Sequence, residues 1–475
     1  MRKILLLLFI ILSASLKAQE EIIDGIQATF DFEEYLTIVK KFHPIAKQAD
    51  LLVNSARAEV LKARGGFDPK LEIGYDGKEF LGSDYFDILN ATLKIPTWYG
   101  VEFKAGFDDN DGSFLNPENF IPGDGQLFSA GVSVSLGEGL FINKRMATLK
   151  KAKIFRELSQ AERTLQVNQI LTDASIAYFE WLKSYKEFTV FQRFLENSRI
   201  RYEGIRSQVI RGDKAAIDTI EAGITIRNRQ LELEQSELKY LKSKLALSNF
   251  LWIKDNIPVE LEDNVVPDEN LDVSIDQTLQ INNNLGSEVR LDQHPKIIAL
   301  QQKIKSLEVD KKFKADKLKP RLDANYNFLS SDGDQLNTFN TRDFKAGFKF
   351  SFDLFLRKER GDLKLAKYKV QDAELNYRSE RLQLQNKIEA NYRELLSFND
   401  QIILIDQITR DYDVLLKAEE RKFGVGESSV FLINSRERKL IDSQLKQIEI
   451  QNKLFKTKVK LFNSLAIDPD TVVNP

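Results

Sequence analysis

Two long stretches of the chain place apolar side chains at three- and four-residue steps. This spacing lines up one face of an α-helix and is typical of coiled coils. It predicts helices over about residues 144–211 and about 358–423, each roughly 100 Å long at 1.5 Å per residue. The apolar positions are Leu158, Ala161, Leu165, Leu171, Ala174, Tyr178, Leu182, Tyr185, Phe188, Phe191 and Leu195, then Ile388, Tyr392, Leu395, Ile402, Ile405, Ile408, Tyr412 and Leu415.

A glycine ends each of these stretches, and a second helical pattern follows it. Gly212 precedes a predicted helix over about residues 216–250, and Gly426 precedes one over about residues 430–465. Each copy of this arrangement therefore predicts a helical hairpin with a glycine-containing turn.

Segments with alternating apolar and polar residues precede each long helix. Three lie within about residues 69–137 and two within about residues 320–355. One side of each segment is rich in aromatic residues, and the other carries charges and small residues. A soluble β-sandwich would also alternate, but the pattern favours barrel strands with one face in lipid and one in water. The segments are Leu71–Asp76, Val101–Phe107, Phe128–Leu136, Leu322–Phe328 and Phe344–Asp353.

The number of strands stays open at this point. A further alternating run, Leu89–Ile95, ends just before Trp98 and Tyr99. A strand that enters a membrane from one side must return there before the helix resumes, so strands come in even numbers. The chain would supply six strands if this run pairs and four if it is an irregular loop. With six, Trp98 and Tyr99 would lie in a turn at the membrane interface.

The chain contains an internal duplication. His43-Pro44 recurs 251 positions later as His294-Pro295, where proline suits the first turn of a helix of about 22 residues. Gly212 recurs as Gly426 at an offset of 214, so the first copy carries roughly 35 extra residues, all in the strand region. The predicted organisation is repeat 1 over 19–252, an equatorial linker over 253–293, repeat 2 over 294–467 and a tail over 468–475.

The N-terminus reads as a secretory signal. Arg2 and Lys3 precede an apolar run that is too short to span a bilayer, and small and polar residues follow it up to Ala18. We expect a signal peptide over residues 1–18. No later segment has 18 uninterrupted apolar residues, so insertion into a membrane is expected to take the form of a β-barrel.

Composition argues against several kinds of chemistry. Basic and acidic residues number 69 and 71, which gives no reason to expect a nucleic-acid partner. Cysteine is absent, which excludes thiol catalysis and cysteine-ligated metals. His43 and His294 occupy equivalent helix starts, and the many carboxylates lie on charged helical faces, where salt-bridge and solvation roles are expected. We therefore predict a protein that is not an enzyme and that has no cofactor and no metal site.

The order of these features resembles the TolC family of outer-membrane efflux proteins. The resemblance covers nearly the whole predicted mature chain. It rests on the duplicated plan with its His-Pro helix starts, the prolines Pro69 and Pro320 at the strand entries, the segment Gly139–Phe141 before the long helix, and the two hairpin turns. It implies an α+β fold of outer-membrane barrel strands and a long periplasmic coiled-coil tunnel, assembled as a homotrimer.

The resemblance also implies a function and partners. The chain would be the exit duct of a tripartite efflux or type I secretion system in the outer membrane. It would contact outer-membrane lipid, a periplasmic adaptor protein, and an inner-membrane pump of the RND or ABC type. The hairpin turns would contact the adaptor, and their residues are Gly212, Asp213, Lys214, Gly426, Glu427 and Ser428.

A tunnel gate is a further expectation from the resemblance. In the family the second turn usually carries carboxylates that ring the closed end of the tunnel, but this chain has Leu432 and Ser435 at the matching positions. The first copy has Asp218 at the equivalent place and Glu221 one helical turn later. We hypothesise that these two form an acidic constriction. For Glu221, a solvated surface carboxylate is an equally good interpretation.

Two other functions remain as alternatives. A periplasmic adaptor protein also has a signal peptide and a coiled-coil hairpin, but it would have one hairpin and soluble β-domains. A coiled-coil scaffold of a pump complex is disfavoured by the signal peptide and the strands.

Overall fold

The computed structural model of the protein describes residues 28–281, 291–338 and 341–471. The predicted signal peptide, residues 282–290 of the predicted linker and residues 472–475 of the tail lie outside them. The chain divides into two compact units. One, here the hairpin unit, lies within Met1–Asp50, Thr164–His294 and Leu382–Pro475, and the other, the sheet unit, comprises Leu51–Arg163 and Pro295–Arg381.

The two long helices end within one residue of the predicted positions, and they contain 67 and 68 residues. Across the described ranges, no helix has a stretch apolar and long enough to cross a lipid bilayer. The helices are α1 (Phe32–Phe42), α2 (Pro44–Arg64), α3 (Lys144–Ile210), α4 (Ala216–Ser248), α5 (Leu271–Thr278), α6 (Pro295–Asp316), α7 (Arg357–Gly424) and α8 (Val430–Leu465).

The core of the hairpin unit is built on the aromatic residues of α3. Tyr178, Phe179 and Trp181 are at most 1% exposed, and Phe32 and Tyr35 of α1 pack among them. The hydroxyl of Tyr35 donates to the carbonyl of Ala174 at 3.2 Å, so this buried polar group has a partner. Burial also raises the pKa of the Tyr35 hydroxyl well above its ordinary value, which keeps it a neutral donor.

Two helices of this core were not predicted. In α1, the side chain of Asp31 accepts a hydrogen bond from the amide of Glu33, acidic residues occupy the first turn and basic residues the last. These are standard signals for the ends of a helix. In α5, which falls within the predicted linker, Leu271 and Ile275 are fully buried in the same cluster. The strands β1 (Ala28–Phe30) and β8 (Val265–Pro267) pair in parallel beside it.

The His-Pro pairs join helices of the same repeat. Nδ1 of His43 accepts a hydrogen bond from the amide of Ile45 at 3.2 Å, so the ring satisfies a free donor at the start of α2. The same ring bonds to the backbone of Asn249 just after α4 and stacks on Phe250 at 5.8 Å. In the second repeat, Nε2 of His294 lies 3.2 Å from the carbonyl of Ser464 in the last turn of α8. The repeated histidine therefore contacts the end of a return helix in both repeats.

Six strands of the sheet unit form one antiparallel sheet, so the alternative of four strands is wrong. The run at Leu89–Ile95 does pair, because it lies within the second strand. The strands are β2 (Lys70–Phe80), β3 (Ser83–Pro96), β4 (Val101–Asp111), β5 (Gln126–Gly137), β9 (Arg321–Ser330) and β10 (Phe344–Ser351), in the order β10-β9-β5-β4-β3-β2. Two short strands elsewhere, β6 (Trp252–Ile253) and β7 (Ile257–Pro258), pair with each other.

The register of the sheet separates two chemically different faces. Residues directly opposite each other lie on the same face. The polar row runs from Lys94 through Lys104, Gly131 and Asn327 to Lys345. The neighbouring apolar row runs through Leu93, Ala105, Ala130, Phe328 and Phe344. The alternation seen along single strands therefore extends coherently across all six.

The outer strands β2 and β10 each pair on one side only among the described residues. Their apolar side chains are correspondingly open, with Ile73 and Phe348 exposed to 66% and 81%. Such a row of unpaired backbone donors and acceptors is a template for another strand.

Acidification should destabilise the hairpin unit through His43. Burial lowers the pKa of this ring from its ordinary value of 6.5. The unfolded chain therefore binds a proton that the folded chain excludes, so stability is full above pH 6.5 and is lost as the pH falls through and below that value. Protonation would also remove the Nδ1 acceptor from the start of α2.

We expect the free energy of unfolding of the full chain in detergent to fall less steeply between pH 7.5 and 5 in His43→Gln than in wild type, measured by urea denaturation. The exposed substitution Lys62→Gln serves as a control and should leave the slope unchanged. Equal slopes in wild type and His43→Gln would contradict this assignment.

Candidate functional site

The two hairpin turns have the same backbone structure. The amide of Gly212 donates to the carbonyl of Val209 at 3.0 Å, and the amide of Asp213 donates to Gln208 at 2.9 Å. The amides of Gly426 and Glu427 repeat this pattern at 3.1 and 2.9 Å. Both glycines have φ of +83°, which glycine adopts at little cost, and this combination is the Schellman motif. Glycine is therefore required at both places by the backbone.

The turns of the two repeats pack against each other. Nζ of Lys214 lies 4.0 Å from the centroid of the Phe423 ring, which is a cation–π contact between the first turn and the end of α7. Beneath it, Ile205, Ala222 and Val430 form a buried cluster. The predicted adaptor-contacting residues of both repeats are therefore brought to one place.

The six predicted contact residues divide into two groups. Gly212, Asp213, Gly426 and Glu427 are exposed. Lys214 and Ser428 are half-buried, and the hydroxyl of Ser428 donates to Glu419 at 2.5 Å.

Exposed apolar residues flank the turns, and the sequence interpretation did not include them. Ile210 and Val425 lie just before the glycines and are 77% and 74% exposed. Ile217 and Phe431 begin the return helices and are also exposed. The signal that could have found them is that they are large apolar residues next to the glycine-containing turns. They make the turn surface apolar around its glycines.

The two proposed gate carboxylates begin α4. Asp218 is half-buried in the first turn. Glu221 accepts a hydrogen bond from the side-chain Nδ2 of Asn434 in α8 at 3.4 Å. That contact connects α4 to the second hairpin, next to Ser435, the position where the second repeat lacks a carboxylate. Glu221 is half-buried and has this one partner, and its role in a gate stays a prediction.

A buried ionic cluster lies in the same hairpins and was not predicted. Glu437 of α8 is fully buried and contacts two arginines. Nη2 of Arg201 in α3 lies 2.6 Å from Oε2, and both Nε and Nη2 of Arg229 in α4 lie 3.3 Å from Oε1. The sequence contained a signal, because Glu437 continues the helical row of Ile433 and Leu440, which are buried apolar residues.

This cluster joins all four helices of the two hairpins. Arg201 also reaches Glu420 of α7 at 3.5 Å, and Arg229 reaches Glu232 at 2.7 Å. Charges that are buried in this way are held by their partners, and removal of one partner leaves an uncompensated charge away from water. The cluster therefore fixes how the hairpins fit together near their turns.

The predicted interface aromatics lie at one end of the sheet. Trp98 stacks on Phe67 with ring centroids 5.5 Å apart and packs against a cluster at the start of α3. Tyr99 is 67% exposed in the turn between β3 and β4. The same end of the polar face has a cavity of about 510 Å³ lined by both acidic and basic residues, among them Glu102, Arg145 and Asp323.

The described residues contain no group of three or more histidine, cysteine, aspartate or glutamate side chains that could hold a metal ion.

Loss of one charge from the buried cluster should destabilise the protein strongly. We expect Glu437→Gln to lower the free energy of unfolding by about 3–5 kcal/mol, because Arg201 and the buried Arg229 both lose the carboxylate that they share. The control is Glu196→Gln, which breaks an exposed pair with Arg199 and should cost less than about 1 kcal/mol. Urea denaturation followed by circular dichroism measures both. Similar losses in the two variants would show that the cluster is not what holds the hairpins.

Comparison with known proteins relates the second repeat to a protein family by sequence and the whole chain to solved structures by fold. Residues 287–466 match the family model described as outer membrane efflux protein. No curated protein sequence matches the chain. The fold is similar to that of the outer membrane channel CmeC of Campylobacter jejuni, with a TM-score of 0.64, 13% identity and coverage of 92% of this chain and 85% of that one. It is also similar to VceC of Vibrio cholerae, with a TM-score of 0.63, 14% identity and coverage of 92% of this chain and 96% of that one. For the open-state MtrE channel of Neisseria gonorrhoeae, the TM-score is 0.63, the identity 12%, and the coverage 94% of this chain and 91% of that one. Residues 287–466 therefore match the outer membrane efflux protein family by sequence, and the fold of the whole chain is similar to that of outer-membrane channels.

Proposed function

We propose that the chain is one subunit of an outer-membrane efflux channel with a periplasmic extension, which serves as the exit duct of a tripartite system. The observation that carries this proposal is the six-stranded sheet, whose apolar face is open, whose other face is polar and whose two edges are unpaired among the described residues. A soluble adaptor protein would expose such an apolar face to water, which is unfavourable. The two hairpins also favour a channel subunit over an adaptor with one.

The open sheet supports assembly as a homotrimer. Unpaired strand edges are not tolerated in lipid, because nothing there can bond to the backbone. One chain cannot close a barrel with six strands, whereas three chains supply eighteen, which lies within the range of known outer-membrane barrels.

An exposed apolar stripe on the return helix supports the same assembly. Five residues of α4 repeat at intervals of seven and are about half exposed, which is the seam of a coiled coil without its partner. In α7, Leu382, Leu396 and Ile403 are also exposed at heptad spacing. We assign these stripes to contacts between neighbouring subunits of the tunnel. The stripe of α4 consists of Ile217, Ile224, Leu231, Leu238 and Leu245.

The hairpin turns are the proposed contact surface for a periplasmic adaptor protein, which would connect the channel to an inner-membrane pump of the RND or ABC type. The support is the exposed surface of Gly212, Asp213, Gly426 and Glu427 together with the apolar residues that flank them. A surface of this kind on a soluble end of a protein marks an interaction site.

The full-length protein should be recovered in the outer-membrane fraction. In unboiled gels it should migrate as an oligomer with the mass of three chains, and boiling should convert it to single chains. Recovery in the soluble periplasmic fraction, or a single-chain mass in detergent by light scattering, would contradict the channel proposal.

Asp218 and Glu221 are the proposed tunnel gate. In a homotrimer each would become a ring of three carboxylates, which raises the local cation concentration and excludes anions. In planar bilayers, Asp218→Asn with Glu221→Gln should lower the cation-over-anion permeability ratio at least about twofold. The control is Glu203→Gln, because Glu203 lies on the surface of α3 beside Arg206. Unchanged selectivity in the double variant would exclude the gate.

A further inference from the structure

The two edges of the sheet are complementary in direction. Neighbouring strands are all antiparallel, and the sheet contains an even number of them. The outer strands β2 and β10 therefore run in opposite directions. When β2 of one copy of the chain meets β10 of another, the new pair is antiparallel like the rest of the sheet.

The two edges are also complementary in charge. On the polar face, β2 carries Glu72 and Asp76, four residues apart. On the same face, β10 carries Lys345 and Lys349, again four residues apart. A glycine lies midway in each strand, Gly74 in β2 and Gly347 in β10.

One register brings these charges together. With Gly74 opposite Gly347, Glu72 lies opposite Lys349 and Asp76 lies opposite Lys345. A shift by one residue would exchange the polar and apolar faces, so only shifts by an even number of residues compete, and the nearest are those by two residues in either direction. Either of those shifts places each glycine opposite a lysine or a carboxylate and removes both charge pairs.

The stagger of the sheet, which is the number of residues by which directly opposite positions advance along the strands from one copy to the next, is compatible with the same register. Directly opposite residues lead from Lys70 across the six strands to Lys345. In the register above, Lys70 of the next copy lies opposite Ser351, six residues further along β10. The stagger is thus six residues over six strands. A barrel in which total stagger equals strand number has strands tilted by about 36°, within the usual range for barrels.

We propose that β2 of each copy pairs antiparallel with β10 of the next copy, with Gly74 opposite Gly347, and that three copies close an eighteen-stranded barrel in this way. This inference rests on the proposed function as a trimeric channel. At about 4.8 Å between strands and this tilt, the wall would be roughly 35 Å across, wide enough for an aqueous pore. The polar face, with its glycines, serines and lysines, lines that pore.

Disulfide cross-linking tests the register directly, because the chain has no cysteine of its own. The variant Gly74→Cys with Gly347→Cys brings two cysteines opposite each other across the proposed contact. Paired residues in antiparallel strands have Cα atoms about 4.5–5.5 Å apart, which a disulfide can bridge, whereas residues displaced by two are about 7–8 Å apart. A Cβ at position 74 meets open space, and at position 347 it meets only the side chain of Asn325, at 3.1 Å.

The expected result, for the full-length variant oxidised in outer membranes, is a covalent trimer in non-reducing denaturing gels. The matched controls are Gly74→Cys with Lys345→Cys and Gly74→Cys with Lys349→Cys, which test the two competing registers and should cross-link at least about fivefold less. Stronger cross-linking in either control would overturn the proposed register and leave the trimeric channel intact.

Charge reversal gives a second, independent measurement. Asp76→Lys and Lys345→Asp should each lower the temperature at which the trimer dissociates in detergent, because each places like charges opposite one another. The two substitutions together should restore most of the loss. Additive losses in the double variant would overturn the pairing. Wild-type protein that forms neither trimers nor channels would instead refute the proposed function itself.

Discussion

The backbone groups along the free sides of β2 and β10 impose the constraint on which the rest of this protein depends. In water an open edge is a liability, and in lipid it cannot persist, since no solvent can bond to its amides and carbonyls. If the apolar face of the sheet lies in lipid, as proposed, its two edges must pair with another chain. The antiparallel order and the even strand number of the sheet are compatible with such pairing.

The hairpin unit is under a different constraint. In the proposed trimer its helices must pack within one chain and also expose apolar residues to neighbouring chains. Its interior combines an aromatic core around Trp181 with a charged cluster around Glu437. The core stabilises the folded helices by burying apolar surface. The ionic cluster fixes the relative positions of the helices, because buried charges must stay next to their partners. The apolar residues left outside, such as Ile224 and Leu238 of α4, are those that the fold of one chain does not use.

Much of this architecture followed from local pattern. The long helices and their return helices were predictable because helical periodicity over more than thirty residues, ended by glycine, has few other interpretations. The number of strands was not predictable, because Leu89–Ile95 is short and only its pairing with β2 and β4 shows that it is a strand. The helix α5 was missed for a similar reason, since eight residues give too few turns for a periodic signal. The partners of Glu437 come from helices more than 200 residues away, and no spacing along the chain reveals such contacts. The function of Asp218 and Glu221 depends on neighbouring chains and remains a prediction.

The unequal lengths of the two repeats have a consequence for how such pores change in evolution. In the proposed trimer, a hairpin gained in one repeat adds two strands to each chain and six to the assembled wall. Pore perimeter can therefore grow or shrink only in steps of six strands, and each step requires a matching change in stagger. The extra residues of repeat 1 fit one such step, and they did not need a counterpart in repeat 2, because closure counts strands per chain and is indifferent to which repeat supplies them.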